Sequence, residues 1–244
     1  MPIFEQIADT FWDNVFSLDF VNAPQCWKTC GNGRCCSNNF VDFNFQLLPT
    51  GGTTLIYMEQ EYEYLARKGG VPENVQWFSF DYGGASPFRF AQAQCRLGGM
   101  CENVIIKPMI CRIFPFIPEI SPEGTISGLL PGSIFDLTAN ILGFSLPCGV
   151  ESRHDEILHS WQTDTEIMNV FSHPYILFHL RIIKEFSLSY RELLVKNAQF
   201  SKLTQPQFWR HWEIQYLSGA LVDSERIRRT IRHLVGTREP QGDS

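Results

Sequence analysis

Eight cysteines are the residues of this chain best suited to chemistry, and they are unevenly spaced. Four fall in the run Cys26-x3-Cys30-x4-Cys35-Cys36, three more in Cys95-x5-Cys101-x9-Cys111, and Cys148 follows after 36 intervening residues. Thiolates are soft anionic ligands, and a metal site needs them within roughly 4 Å of one another. Short Cys-to-Cys loops meet that need with little loss of loop-closure entropy. Adjacent cysteines such as Cys35 and Cys36 rarely bridge each other because the resulting ring is strained, yet their side chains can point to two metals or to one cluster. Zinc and the 4Fe-4S cluster each take four thiolates, so eight cysteines match two sites, or one cluster and a zinc.

The elements around them follow from periodicity and turn residues. Phe4, Ile7, Phe11, Val15 and Leu18 recur at helical steps and predict an amphipathic helix ending near Asp19. Asn22, Pro24, Gly31, Gly33 and Asn38 make 22–39 an irregular loop, 40–48 reads as a strand, and Met58–Lys68 reads as a helix stopped by Gly69-Gly70. Val75–Tyr82 and Phe88–Cys95 flank a turn with Gly83, Gly84 and Pro87, predicting a β-hairpin that leads into the second cysteine group. Five prolines between 107 and 132 exclude a long helix there. Beyond Cys148 helical periodicity takes over, with helices expected at 155–171, 175–197, 206–217 and 223–235. Thr204 and Gln207 have capping-box spacing, with Pro206 in the first turn.

The expected architecture is α+β: a cysteine-cluster metal-binding domain with a small antiparallel sheet over 1–150, a helical region over 151–238 packing on it, and a polar tail at 239–244. At 244 residues, 44% hydrophobic and 19% charged, the chain can bury a core without covalent staples. Its N-terminus, MPIFEQIADTFWDN, lacks the basic and continuously apolar regions of an export signal, and no apolar stretch reaches the ~18 residues that span a bilayer. The expectation is a cytoplasmic protein without membrane association, in which thiols stay reduced and grouped cysteines serve as metal ligands. A net charge of -6 argues against nucleic acid as a partner. The charge is segregated: 1–66 carries eight acidic and two basic side chains, whereas 202–238 carries seven basic and three acidic. The basic C-terminal helix is therefore expected to be a solvated face, to dock on the acidic N-terminal half, or to meet an acidic protein partner through Arg228, Arg229 and Arg232.

Cys26, Cys30, the pair Cys35-Cys36, then Cys95, Cys101 and the run Lys107-Pro108-Met109-Ile110-Cys111-Arg112-Ile113-Phe114-Pro115-Phe116 together resemble the YkgJ family, a zinc- or iron-chelating cysteine-cluster domain. The resemblance covers roughly 26–149. The opening group is spaced more loosely than the family's, and Lys107 stands where the family usually has Arg. What the resemblance implies is chelation by Cys26, Cys30, Cys35, Cys36, Cys95, Cys101, Cys111 and Cys148 of an iron–sulfur cluster (4Fe-4S) or zinc. The flagellin lysine-N-methylases have a similar cysteine arrangement, which implies as an alternative an enzyme with redox or methyl-transfer chemistry; a further alternative is an interaction module with a structural metal.

Beside these ligands, Arg112 and Lys107 are candidates to offset thiolate charge and to donate hydrogen bonds to sulfur. The opening group does not match the radical S-adenosylmethionine signature, which needs x3 followed by x2. The six histidines, His154, His159, His173, His179, His211 and His233, form no zincin-type pair, and surface or capping roles are expected; His154 lies nearest a proposed ligand. Trp209, Trp212 and Tyr216 sit at helical spacing near Arg210 and His211, either as core packing or as a stacking surface. Gly83-Gly84 and Gly98-Gly99 are turn residues, since no phosphate-loop sequence follows either pair.

Overall fold

The computed structural model describes residues 5–21, 45–47, 54–71, 75–84, 86–94, 107–121, 124–132, 137–138, 141–142, 148–197 and 200–236. The expected loop at 22–39, the pair Gly98-Gly99, the polar tail and six cysteines (Cys26, Cys30, Cys35, Cys36, Cys95 and Cys101) lie outside the described residues.

Helix α1 spans Asp9–Ser17 and turns Trp12 and Val15 into the core. It begins later than the apolar spacing suggests because the chain before it is already engaged. The Ile7 N–H donates to Gln60 Oε1 (2.8 Å) while Gln60 Nε2 donates to the Glu5 carbonyl (3.0 Å). The amide thus bonds both backbone groups as a neighbouring strand would, and this competes with helix formation.

Strand β1 (Thr54–Met58) runs into helix α2 (Glu59–Arg67), followed by β2 (Val75–Phe80) and β3 (Phe88–Gln94). The expected β2–β3 hairpin forms, and β1 joins it to give an antiparallel sheet of order β1-β3-β2. Strand β1 was not expected, since its four apolar residues after Thr54 merge into the helical pattern behind them. Helix α2 stops as expected, with Gly69 in the left-handed region at φ 72°. At 45–47, the described part of the expected strand 40–48, no strand forms: the Leu47 N–H donates instead to Glu213 Oε1 (2.6 Å).

The proline-rich stretch holds the short helix α3 (Met109–Ile113) and an antiparallel pair, β4 (Phe116–Ile120) and β5 (Ile126–Pro131). Pro118 and Pro131 are tolerated because a two-stranded sheet consists of edge strands. Gly132 closes the ladder, its N–H donating to the Pro115 carbonyl (2.7 Å), and a Cβ there would lie 2.7 Å from that oxygen and 2.9 Å from its carbon. Both are backbone atoms, so Gly132→Ala is expected to lower stability by about 1–3 kcal/mol. Urea unfolding checks this; an unchanged midpoint would show that the loop yields freely.

After a 3-10 turn at Glu151–Arg153 come α4 (His154–Thr163), α5 (Thr165–Ser172), α6 (Pro174–Lys196), α7 (Gln205–Leu217) and α8 (Ser224–Val235). The single helix expected at 155–171 is two, because the Asp164 carboxylate caps α5 by accepting the N–H groups of Glu166 (2.9 Å) and Ile167 (3.1 Å). The capping box of α7 forms as read, with the Thr204 N–H and hydroxyl both donating to Gln207 Oε1.

One main core joins α1, the three-stranded sheet, α3, β4 and β5 to α4, α5 and the first half of α6, so it is built from both sides of residue 150. A second gathers Phe45 and Leu137 onto Tyr190, Leu194, Phe208, Trp209 and Trp212. A third lays Ile227 and Ile231 of α8 on Phe178 and Ile182 of α6 and on Tyr82 and Phe88 beside the hairpin turn. Among the described residues no helix is long and apolar enough to cross a membrane.

Candidate metal centre

Two of the proposed ligands, Cys111 and Cys148, are described, and both are half-buried. Cys111 sits in α3, where Pro108 presets the entry dihedral and its carbonyl accepts the Cys111 N–H (2.9 Å). Cys148 packs against the main core, and its carbonyl accepts the Glu151 N–H (3.2 Å).

The elements that follow these two cysteines converge on the segment 16–21, which leads toward Cys26. The Phe16 carbonyl accepts from Arg112 Nη1 (3.1 Å), the Phe20 carbonyl from Trp161 Nε1 (2.5 Å), and the Val21 carbonyl from Arg153 Nη1 (3.2 Å). At the C-terminal end of α1 and just past it these carbonyls have no helical partner, so side chains from α3, α4 and the turn after Cys148 satisfy them. Asp19 sits among the donors and its charge acts on both Arg112 and Arg153. Residues next to Cys111 and after Cys148 therefore bond the segment 16–21 that leads toward the first cysteine group.

Arg112 is the centre of that set. It is 6% exposed, its Nε donates to the Lys107 carbonyl (3.0 Å), and its guanidinium lies 4.6 Å from the centre of the Phe16 ring. Burial pulls its pKa below the usual value, opposed by the charges of Glu61, Asp19 and Cys111. A buried cation this close to Cys111 suits thiolate chemistry, because it offsets negative charge that several sulfurs around one metal would build up. For Lys107, the contribution described is its backbone carbonyl.

Glu61 completes the frame. Its carboxylate is buried at 1% exposure, with Oε1 accepting the Met109 N–H (2.5 Å) and Oε2 the Met58 N–H (3.1 Å). It ties the β1–α2 junction to the start of α3. Burial pushes its pKa up to about 7, against the pull of the two N–H groups and Arg112.

The histidines are dispersed. His154 bonds Asp155 (2.9 Å) and meets the edge of Phe116 (5.5 Å between ring centres), which places it near the signature run. His159 and His233 are exposed. His173 rests on Phe11, and His211 on Phe200. His179 is buried, bonded through Nδ1 to the Tyr175 carbonyl (2.7 Å), and burial pushes its pKa down to about 4. Trp209 and Trp212 are core residues, Trp212 donating to the Tyr190 hydroxyl (2.6 Å) with Tyr216 stacked on it at 5.2 Å, so this stripe is packing and not a stacking surface.

Among the described residues, the ion pairs of the basic helix are made with α6 and within α8 itself. Arg226 pairs with Glu185 and Glu192 of α6, and Arg228 and Arg232 both pair with Glu225 one or two turns earlier in α8.

Among the described residues no three His, Cys, Asp or Glu side chains are grouped to hold a metal ion. No family model, curated protein or solved structure matches the chain. Sequence reasoning missed Glu61, Asp19, Arg153 and Trp161. Only Arg153, five residues beyond Cys148, carried a positional hint.

Proposed function

We propose that the chain is a metal-binding protein that chelates an iron–sulfur cluster or zinc through Cys26, Cys30, Cys35, Cys36, Cys95, Cys101, Cys111 and Cys148, and that it works in the cytoplasm. The observation that carries this reading is the ordered cysteine set closed by Cys111-Arg112-x-Phe114-Pro115. It is supported by the buried guanidinium beside Cys111 and by the hydrogen bonds that fix 16–21, the segment from which the chain continues toward Cys26. Fixed ends reduce the conformational entropy that metal binding must overcome.

Protein purified without oxygen is expected to carry iron with an absorption band near about 400 nm, or zinc without that band. Cys111→Ser is expected to lower the bound metal measured by elemental analysis. Protein containing neither metal, or a Cys111→Ser variant with unchanged content of both, would overturn the reading.

A further inference from the structure

We propose that strand β2 is a self-association edge through which two copies of this chain pair antiparallel, joining their sheets into one of order β1-β3-β2-β2-β3-β1. An edge strand offers a row of free N–H and C=O groups to any chain that can lie beside it, and proteins blunt such edges with charges, prolines, bulges or covering elements. The strands of this fold differ in that respect. Helix α3 packs against β1, and its Met109 and Ile113 share the main core with Tyr57. The β4–β5 pair carries Pro118, Glu119 and Pro131, with an irregular register between Glu119 and Ile120. Strand β2 has none of these devices. Its six residues, Val-Gln-Trp-Phe-Ser-Phe, include no charge, proline or glycine, and among the described residues β3 is its only strand partner.

Burial sets β2 apart as well. Four of its six residues are valine or aromatic, yet none is buried: Gln76 and Ser79 are exposed, and Val75, Trp77, Phe78 and Phe80 are half-buried. In β4, by contrast, four of five residues are buried. Phe78 stacks on Phe90 of β3 with ring centres 5.1 Å apart and 10° between the planes, and Phe90 stacks on Phe80 at 6.0 Å and 21°. Phe80 and Phe90 rest on the third core, so this aromatic row is held in place, and Phe78 brings it to the edge of the sheet.

The strand's own pattern selects a second copy as the occupant. With a two-fold axis through Phe78 and perpendicular to the sheet, Phe78 faces its counterpart and the row becomes Phe90-Phe78-Phe78-Phe90 across two molecules; such aromatic cross-strand pairs are favourable. Trp77 then lies opposite the second copy's Ser79, large against small, and Gln76 opposite its Phe80. The ladder contains no charged residue, so two chains that each carry a net charge of -6 meet along it without placing like charges opposite each other. The two-fold axis uses the same edge on both copies, so pairing closes at two. Six strand residues a side fall well below the about 20–30 of a standard interface, so the dimer is a weak one, with a Kd on the order of 10–100 µM. The pairing is independent of what the thiols bind.

Sedimentation velocity of the full-length protein from about 5 to about 500 µM, with reductant present so that cysteines cannot cross-link the copies, tests the pairing. Monomer is expected to dominate at the lowest concentration and dimer at the highest. The double variant Gln76→Lys with Ser79→Lys changes two exposed positions and gives the edge the charges that blunt such strands elsewhere, so it is expected to weaken the dimer by at least about tenfold. Amide hydrogen exchange identifies the surface: protection of 75–80 is expected to rise with concentration in the parent and to stay constant in the variant. Should the variant fail to fold, the concentration dependence of that protection in the parent decides alone. A chain that stays monomeric throughout, as it would if the edge receives an extended segment of another protein instead, would overturn the proposal. So would a dimer that the lysines leave unchanged, or protection of 75–80 that does not vary with concentration.

Discussion

Arg112→Ala is expected to lower stability by about 3–5 kcal/mol, the usual consequence of deleting one partner from a buried charged cluster. The loss has three parts. The carbonyls of Phe16 and Lys107 lose their donors inside the protein, the Phe16 ring loses the cation over its face, and Glu61 and Asp19 lose the positive charge that faces them. Arg112→Lys separates these contributions. A lysine keeps the charge, but one ammonium lacks the fork that reaches two carbonyls on different segments, so an intermediate loss is expected. Urea unfolding of both variants gives the comparison; an alanine variant within about 0.5 kcal/mol of the parent would mean the cluster contributes nothing. On the proposed metal-binding reading, the alanine variant is also expected to hold metal about 10–100-fold more weakly in competition with a chelator.

Trp161→Ala is expected to cost a similar amount, about 3–5 kcal/mol, but for a different reason. Trp161 is fully buried, packs against Phe171 at 5.0 Å between ring centres, and donates to the Phe20 carbonyl at 2.5 Å. Alanine would leave a large cavity in the main core and an unsatisfied carbonyl on the chain leading to Cys26. Trp161→Phe retains most of the apolar contact and removes only the N–H, so its expected cost is about 1–3 kcal/mol. If alanine and phenylalanine destabilise equally in urea unfolding, the hydrogen bond rather than the packing dominates at this site.

The local elements could be read from the chain because their causes are local. Alternation and a glycine-containing turn produced the β2–β3 hairpin, Gly69 ended α2, and Thr204 with Gln207 opened α7. The readings diverged where distant groups competed. Gln60 drew residues 5–7 out of the expected first helix, Glu213 took the N–H of Leu47 from any strand, and Asp164 divided one helical pattern into two by capping. The pairing of β1 with β3 and of β4 with β5 was hidden for a related reason. Short apolar runs carry too little periodicity to announce a strand, and prolines suit edge strands as well as loops.

The candidate site divides in the same way. Cysteine order and spacing, together with the Cys111-Arg112 pair, belong to the sequence alone, because ligand type and loop length are covalent properties of the chain. The burial of Arg112, its bond and those of Trp161 and Arg153 to three successive acceptors along 16–21, and the buried Glu61 beneath α3 were decided by tertiary structure. A charged side chain far along the chain gives no local sign of its partner. Whether it is solvated or buried, and therefore whether its charge is screened or felt by a neighbouring thiol, depends on what the fold packs around it.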